Sequence, residues 1–270
     1  MSMAFWGVRG SSPVVGPDHL AFGGSTMCLE VRAADHRMIV DAGTGIQQLG
    51  WAMAEGNIGN VDILLTHFHL DHIMGLMTFA PLFQKGATVT VHAPVLEEGD
   101  PAPLLHRILD RPFFPMKAGE TGAAFVIKSF HPGDSFLLPG FTIRTLGLSH
   151  PGGACGYRIT HQERSVSIII DHEHESVEPE SKLADFCAGT DLILYDAHWD
   201  ESTDYDAHRG WGHSTWQAGL RLLQASDAVR LGCIHHAPWA IDEILQGREA
   251  ALQHQHPESF FAREGQRLQL

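Results

Sequence analysis

The sequence predicts an α/β fold, and three observations carry that expectation. Apolar runs of strand length, rich in Val, Ile and Leu, recur from residue 4 to residue 234. Segments of helical length lie between them, set off by Gly and Pro punctuation, with no internal repeat and no low-complexity linker. Residues able to do chemistry recur just past the predicted strand ends, where a rigid sheet presents its loops.

The elements follow in order. Strand-like runs occupy residues 4–8, 27–32 and 37–40, separated by Gly-rich stretches at 10–17 and at Gly23-Gly24. Asp41-Ala42-Gly43-Thr44-Gly45 opens a helix over 45–54. Residues 61–65 form a short apolar run that reads as a buried strand, and the segment after it leads into a helix over 72–84. A strand near 88–92 precedes a polar, Pro-rich segment around 99–115. Strands return between 124 and 170, with turns at Pro132-Gly133-Asp134 and Pro139-Gly140. A connecting helix falls within 180–188, then a strand over 191–195, a helix over 214–223, a strand over 229–234 and a C-terminal helix within 239–262.

Composition bounds the function. A chain of 270 residues with 44% hydrophobic content can bury a sizeable core, and residues 1–270 are expected to form a single domain. The balance of 18 Lys+Arg against 32 Asp+Glu, a formal net charge of −14, disfavours broad contact with a phosphate backbone. Cys28, Cys155, Cys187 and Cys233 show no CxxC spacing, and three of them sit in predicted strands as small core residues. The first residues lack the basic start and apolar core of a signal peptide, and no apolar run approaches the roughly 20 residues that span a bilayer. The expectation is a cytoplasmic protein without a membrane partner.

The most informative stretch is Thr66-His67-Phe68-His69-Leu70-Asp71-His72. His67 and His69 alternate and can point the same way on an extended turn, while Asp71 and His72 can turn toward a neighbouring point. That pattern supplies ligands to two adjacent metal ions. Imidazole nitrogen and carboxylate oxygen suit zinc, with manganese or iron as alternatives. A solvated His-rich loop is the rival reading.

The stretch resembles the HxHxDH signature of the metallo-β-lactamase superfamily. The resemblance implies a four-layer αββα sandwich, two divalent metal ions and further ligands in a fixed order. They are found in Ser149-His150-Pro151, Ile170-Asp171-His172 and Ile234-His235-His236. By resemblance, one ion takes His67, His69 and His150, the other takes Asp71, His72 and His235, and Asp171 bridges them. Adjacent residues at a strand end point in opposite directions, so one of His235 and His236 should bind metal and the other should face the substrate or an outer shell; by resemblance to the family's pattern, His235 is the ligand.

Other segments narrow the branch. Residues 5–13, Gly23 to Cys28, Asp41 to Gly45 and the segment Arg209-Gly210-Trp211-Gly212-His213-Ser214-Thr215 look like the ribonuclease Z and cyclic phosphodiesterase branch, including its phosphoribosyl cyclic phosphate phosphodiesterases. His213 is the candidate that donates the leaving-group proton or stabilises developing charge, oriented by Asp196. Asp71 joins His213 and Asp196 in the expected catalytic set besides serving as a ligand. Ser214 is a candidate helix cap. Asp41 is expected to support the metal loop, His172 and His174 to line the site mouth, and Gly23-Gly24 to form a simple turn.

Two departures matter. The dense basic arm with which ribonuclease Z grips transfer RNA has no counterpart between His72 and His150, so a small phosphodiester is the expected substrate and transfer RNA is disfavoured. No Cys/His cluster matches the separate structural metal site that the phosphoribosyl enzymes can carry. The resulting expectation is a dinuclear metal-dependent hydrolase that cleaves a small or cyclic nucleotide or sugar phosphodiester with a metal-bridging hydroxide. A lactone or thioester hydrolase of the same fold is the alternative, and a metal-binding sensor without catalysis is a third. A homodimer is compatible with the resemblance.

Overall fold

The computed structural model describes residues 1–56 and 59–270. Its first half builds one seven-stranded sheet. The strands are β1 (Ser2–Gly7), β2 (Cys28–Ala33), β3 (His36–Val40), β4 (Asn60–Leu64), β5 (Thr88–Pro94) and β6 (Ala124–Phe130). The second sheet runs through β7 (Ser135–Leu138), β8 (Phe141–Leu148), β9 (Ala154–His161), β10 (Arg164–Ile169), β11 (Leu192–Asp196), β12 (Leu231–Ile234) and β13 (Phe260–Phe261). A last strand, β14 (Arg267–Gln269), crosses back to pair with β1.

Each sheet is half antiparallel and half parallel. Hairpin neighbours β1-β2-β3 and β7-β8-β9-β10 run antiparallel, whereas β3-β4-β5-β6 and β10-β11-β12-β13 run parallel. Parallel neighbours need crossover connections, and helices supply most of them. Helices α1 (Ile46–Ala54) and α3 (Pro101–Ile108) cover the outer face of the first sheet, burying Ile46, Leu49 and Leu105 against Ile63 and Val91. On the second sheet α4 (Ser181–Cys187), α5 (Trp216–Ala225) and α6 (Asp242–Gln255) bury Leu183, Leu222 and Leu245 against Ile193 and Cys233. Between the sheets, Phe5, Leu29 and Val40 meet Ile143, Tyr157, Ile168 and Leu194 in a buried apolar core. This is the four-layer αββα sandwich of the metallo-β-lactamase fold.

Local chemistry explains where the elements differ from expectation. The helix expected over 72–84 is broken: α2 spans only Leu70–Ile73, followed by 3₁₀ turns at Met74–Thr78 and Ala80–Phe83. Phe79 is extended at φ −74° and ψ 103°, and Pro81 in the first turn of the next piece cannot donate back into a continuous helix. Conversely, the Pro-rich stretch contains α3. Asp100 caps it by accepting from the Ala102 N–H at 3.1 Å, and Pro101 stands at the first helical position, where its missing donor costs nothing. The C-terminal helix stops at Gln255 and leaves Phe260-Phe261 to join the sheet edge beside β12.

The parallel halves place the carboxyl ends of β3, β4, β10, β11 and β12 at one end of the sandwich. Three non-glycine residues there hold left-handed backbone, Asp41 (φ 61°), Asp171 (φ 57°) and His235 (φ 65°), each one or two positions past a strand. Such conformations cost about 1–3 kcal/mol apiece and persist where surrounding structure fixes them. They aim Asp171 and His235 at one another and Asp41 at the back of the His72 ring.

Candidate metal centre

Two clusters of donor atoms share Asp171. In the first, the Asp171 Oδ1 lies 3.7 Å from His67 Nε2 and 3.6 Å from His150 Nε2, and His150 Nε2 is 3.1 Å from His69 Nδ1. In the second, the Asp171 Oδ2 lies 3.1 Å from His72 Nε2 and 3.4 Å from His235 Nε2. Asp71 Oδ2 completes that group at 3.2 Å from His72 and 3.4 Å from His235. Both groupings meet the spacing that could hold a metal ion. Donors held at about 2.0–2.2 Å in a tetrahedron stand roughly 3.3–3.6 Å apart, close to these separations.

The imidazole tautomers are set from behind. His72 Nδ1–H donates to Asp41 Oδ2 at 2.8 Å, leaving Nε2 bare toward the second cluster. His150 Nδ1–H donates to the Gly212 carbonyl at 2.7 Å, leaving Nε2 bare toward the first. Thr66 Oγ1 gives its proton to Asp41 and can accept from His67 Nδ1 at 3.1 Å. These partners fix ring orientation as well as tautomer. Buried His67 Nε2 and Asp171 Oδ2 have no hydrogen-bond partner, an expensive condition that a cation between the donors relieves. The donor set therefore fits two divalent ions with nitrogen and oxygen ligands.

Electrostatics agree. Burial would raise the Asp171 carboxyl, but His235, His72 and His67 hold it well below the usual range. Burial likewise opposes charge on His72, yet Asp71, Asp171 and Asp41 drive its proton affinity well above that of a free imidazole. A pocket that attracts a proton so strongly attracts a metal cation for the same reason.

The backbone leaves no slack around the ligands. The Ser11 N–H donates to Asp71 Oδ2 at 2.7 Å. A Cβ on Gly10 would overlap the His235 ring, and one on Gly212 would overlap His150 and Pro151. Gly212 also needs its φ of 86° to aim its carbonyl at His150.

His213 stands beside both clusters; it also falls in two further groupings whose spacing could hold an ion, one with His198 and His235 and one with Asp171, Asp196 and His235, but its Nδ1 is taken by Asp196. Its Nδ1 donates to Asp196 Oδ2 at 2.9 Å and lies 3.8 Å from Asp171 Oδ1. Asp196 also accepts from the backbone N–H groups of Asp171, His198 and Ser214 at 3.0, 3.1 and 3.3 Å. Burial opposes the charge on His213, and Asp196 overcomes it, pushing the ring up to about 9. Two cations bound alongside would pull it back down.

The remaining expectations resolve geometrically. His236 turns away from both clusters, donating to the Ala262 carbonyl at 2.8 Å and packing on Phe261 and Phe22. His172 is buried rather than at the mouth, where its Nδ1 accepts the Ser149 N–H at 3.4 Å, and burial pulls its pKa down to about 4. His174 is half-buried against Ser214, with Nδ1 to Oγ at 2.7 Å. The cap of α5 is Thr215, which accepts from the Ala218 N–H at 3.1 Å, because Ser214 is already engaged by His174 and Tyr195. Gly23, at φ 90°, follows the turn at Ala21-Phe22 rather than forming one, and donates to the His19 carbonyl at 3.0 Å, while Glu264 occupies the Gly24 and Ser25 N–H groups.

His198 escaped the sequence reading. It is buried, donates through Nδ1 to the His235 carbonyl at 3.0 Å and stacks on His213 with centroids 4.3 Å apart at 15°. The available signal was the Asp196-x-His198 alternation just past β11. Thr66, Glu173 and Ser11 were also unmarked, since they act on ligand loops through hydrogen bonds rather than through a motif.

The chain is 26% identical over 234 residues to an uncharacterized protein of Mycobacterium leprae, ML1173, covering 86% of this chain and 77% of that one. Among solved structures, the metallo-beta-lactamase fold protein YhfI from Bacillus subtilis superposes with a TM-score of 0.73 at 17% identity, covering 99% of each chain. The short form of human tRNase Z gives 0.72 at 18% identity, covering 100% of this chain and 99% of that one. A diphosphatase of the PhnP family gives 0.70 at 16% identity, covering 100% and 97%. Residues 36–236 match the beta-lactamase superfamily domain, and the chain belongs to that family.

Proposed function

We propose that this protein is a dinuclear metal-dependent hydrolase acting on a small phosphodiester, with residues 1–270 forming the hydrolase domain. The observation that carries the reading is the His213–Asp196 pair, seated beside the bridging Asp171 yet outside both ligand sets. His67, His69, His150 and Asp171 would hold one ion, and Asp71, His72, His235 and Asp171 the other. Zinc suits this donor set. When bound, the ions supply an activated water and neutralise charge on the phosphoryl oxygens.

The chain's own residues do the rest. Asp196 holds the proton of His213 on Nδ1, so that Nε2 is the atom available to the reacting group. A protonated Nε2 gives its proton to the departing alkoxide, the hardest group to expel from a phosphodiester. Asp196 is fixed by the three backbone donors already named, so the imidazole is pre-positioned rather than recruited. Thioester hydrolysis needs a proton donor less, because a thiolate leaves more readily than an alkoxide. The diphosphatase and tRNase Z likenesses favour phosphorus as the electrophile.

The test is His213→Ala. Turnover of a diester with an alkoxide leaving group, such as a 2′,3′-cyclic nucleotide, should fall by about 10²–10⁴-fold, turnover of bis(p-nitrophenyl) phosphate, whose leaving group needs no proton, should fall far less, and two metals per chain should be retained. Loss of metal from that variant would overturn the placement of His213 outside the ligand sets. Acyl-ester turnover exceeding phosphodiester turnover in the parent would favour the carbonyl reading.

A further inference from the structure

Beside His213 lies a cluster of aromatic rings that the proposed chemistry does not use. Trp199 is fully buried and stacks flat on His208, with centroids 3.9 Å apart at 10°. Trp239 leans on Trp199 at 5.1 Å and 33°, and Trp211 meets it edge-on at 6.1 Å and 78°. The two outer tryptophans remain open to solvent, Trp211 at 60% and Trp239 at 51%.

The cluster is continuous with the candidate centre. Trp239 packs edge-on against His198 at 5.4 Å, and His198 stacks on His213. Trp211 is reached from the other side, since the next residue's carbonyl holds His150. Its loop is not loose: the Gly210 and Gly212 N–H groups both donate to the Glu173 carboxylate, at 2.6 and 2.7 Å. A large apolar ring is thus held rigidly in water beside a metal-ligand loop. Folding gives no reason for that, because burial of the ring would stabilise the chain.

We propose that Trp211 and Trp239 form a stacking platform for a planar aromatic ring of the substrate, a nucleobase, whose phosphodiester lies at the metals. The proposal rests on the phosphodiesterase reading and narrows it to nucleotide diesters. Tryptophan offers a flat polarisable face to any base, so the platform selects for an aromatic ring without selecting which one. Trp199 and His208 act as positioning residues, fixing the angle of the outer rings from beneath.

The experiment is calorimetric binding to the zinc-loaded full chain, comparing adenosine 5′-monophosphate with ribose 5-phosphate and phosphocholine. Adenosine 5′-monophosphate should bind at least about tenfold more tightly than ribose 5-phosphate, the difference being base stacking. Trp239→Ala and Trp211→Ala should each remove most of that difference and leave ribose 5-phosphate binding and metal content unchanged. Trp239→Phe, which keeps an aromatic face, should restore most of it and guards against a folding artefact. Equal affinity for the two phosphates, tighter binding of phosphocholine, or an equal loss for both phosphates in the alanine variants would overturn the platform. Base-dependent binding with no diester hydrolysis would refute the proposed reaction and leave the platform standing. Hydrolysis with a KM indifferent to the base would do the reverse.

Discussion

Replacing Asp41 with Asn tests whether the second donor cluster is a metal site. Asp41 uses both oxygens: Oδ1 accepts the Thr66 N–H at 2.8 Å, and Oδ2 accepts His72 Nδ1–H at 2.8 Å. The Thr66 hydroxyl reaches both. Asparagine keeps one oxygen, so its amide must face either the Thr66 N–H or His72. Facing Thr66, it orphans a buried backbone donor at about 1–3 kcal/mol. Facing His72, it evicts the Nδ1 proton and sends it to Nε2, the atom aimed at Asp71, Asp171 and His235. Loss of such an orienting partner weakens metal affinity by about 10–100-fold. The assay is competition of the metal-free protein with a chromogenic chelator, read together with a thermal melt. One of two zinc sites should weaken by that factor while the His67/His69/His150 site changes little. With the amide facing His72, the Thr66 N–H keeps its acceptor and the metal-free melt changes little, whereas a fall of roughly 2–10 °C for a chain of this size marks the amide turned to Thr66. Two zinc ions bound with parental affinity would refute the reasoning. A lowered melt with unchanged zinc affinity would reduce Asp41 to a structural role.

Three further outcomes follow from the same geometry. Gly212→Ala places a methyl group against His150 in a left-handed backbone, so it should cost at least about 1–2 kcal/mol and release the metal held by His150, as elemental analysis will show. A donor set that fits two cations in the folded chain alone links metal binding to stability, so calorimetric melting should rise with free zinc; at a hundredfold excess over Kd the gain is about 2.7 kcal/mol, and a melt indifferent to zinc would contradict the assignment. Burial raises the Glu249 carboxyl, but Arg263 and the Phe261 N–H more than offset this and hold it below its usual value. A depressed folded pKa gives stability that is present above the unfolded value and lost as pH falls toward the folded one. Glu249→Gln should therefore cost under about 1 kcal/mol at pH 7 for this partly exposed pair, with the gap to the parent closing below about pH 4.5 in urea melts.

The sequence by itself determined what local patterns encode. Short apolar runs ending in polar donors marked the strands and the residues just past them, because a strand end can be read from burial period and punctuation. The spacing in Thr66 to His72 marked the motif, and the family resemblance it carries implied His150, Asp171 and His235 as the further donors in order. Local pattern misjudged residues 72–84, where Phe79 and Pro81 break a helix that apolar content suggested, and residues 101–108, where Asp100-Pro101 was a capping signal hidden in a Pro-rich stretch.

Tertiary structure alone decided which donors face one another. Asp171 offers one oxygen to each cluster only because β10 lies between β9 and β11, bringing loops more than 80 residues apart within hydrogen-bond distance, as with His69 and His150. His235, which the family resemblance already favoured over His236, reaches the cluster through a left-handed backbone after β12, and no side-chain pattern reports a dihedral angle. His198, Thr66, Glu173 and the exposed faces of Trp211 and Trp239 were invisible for the same reason. Their roles come from contacts between distant segments, and a linear sequence carries residue identity and local period but not the distances that packing sets.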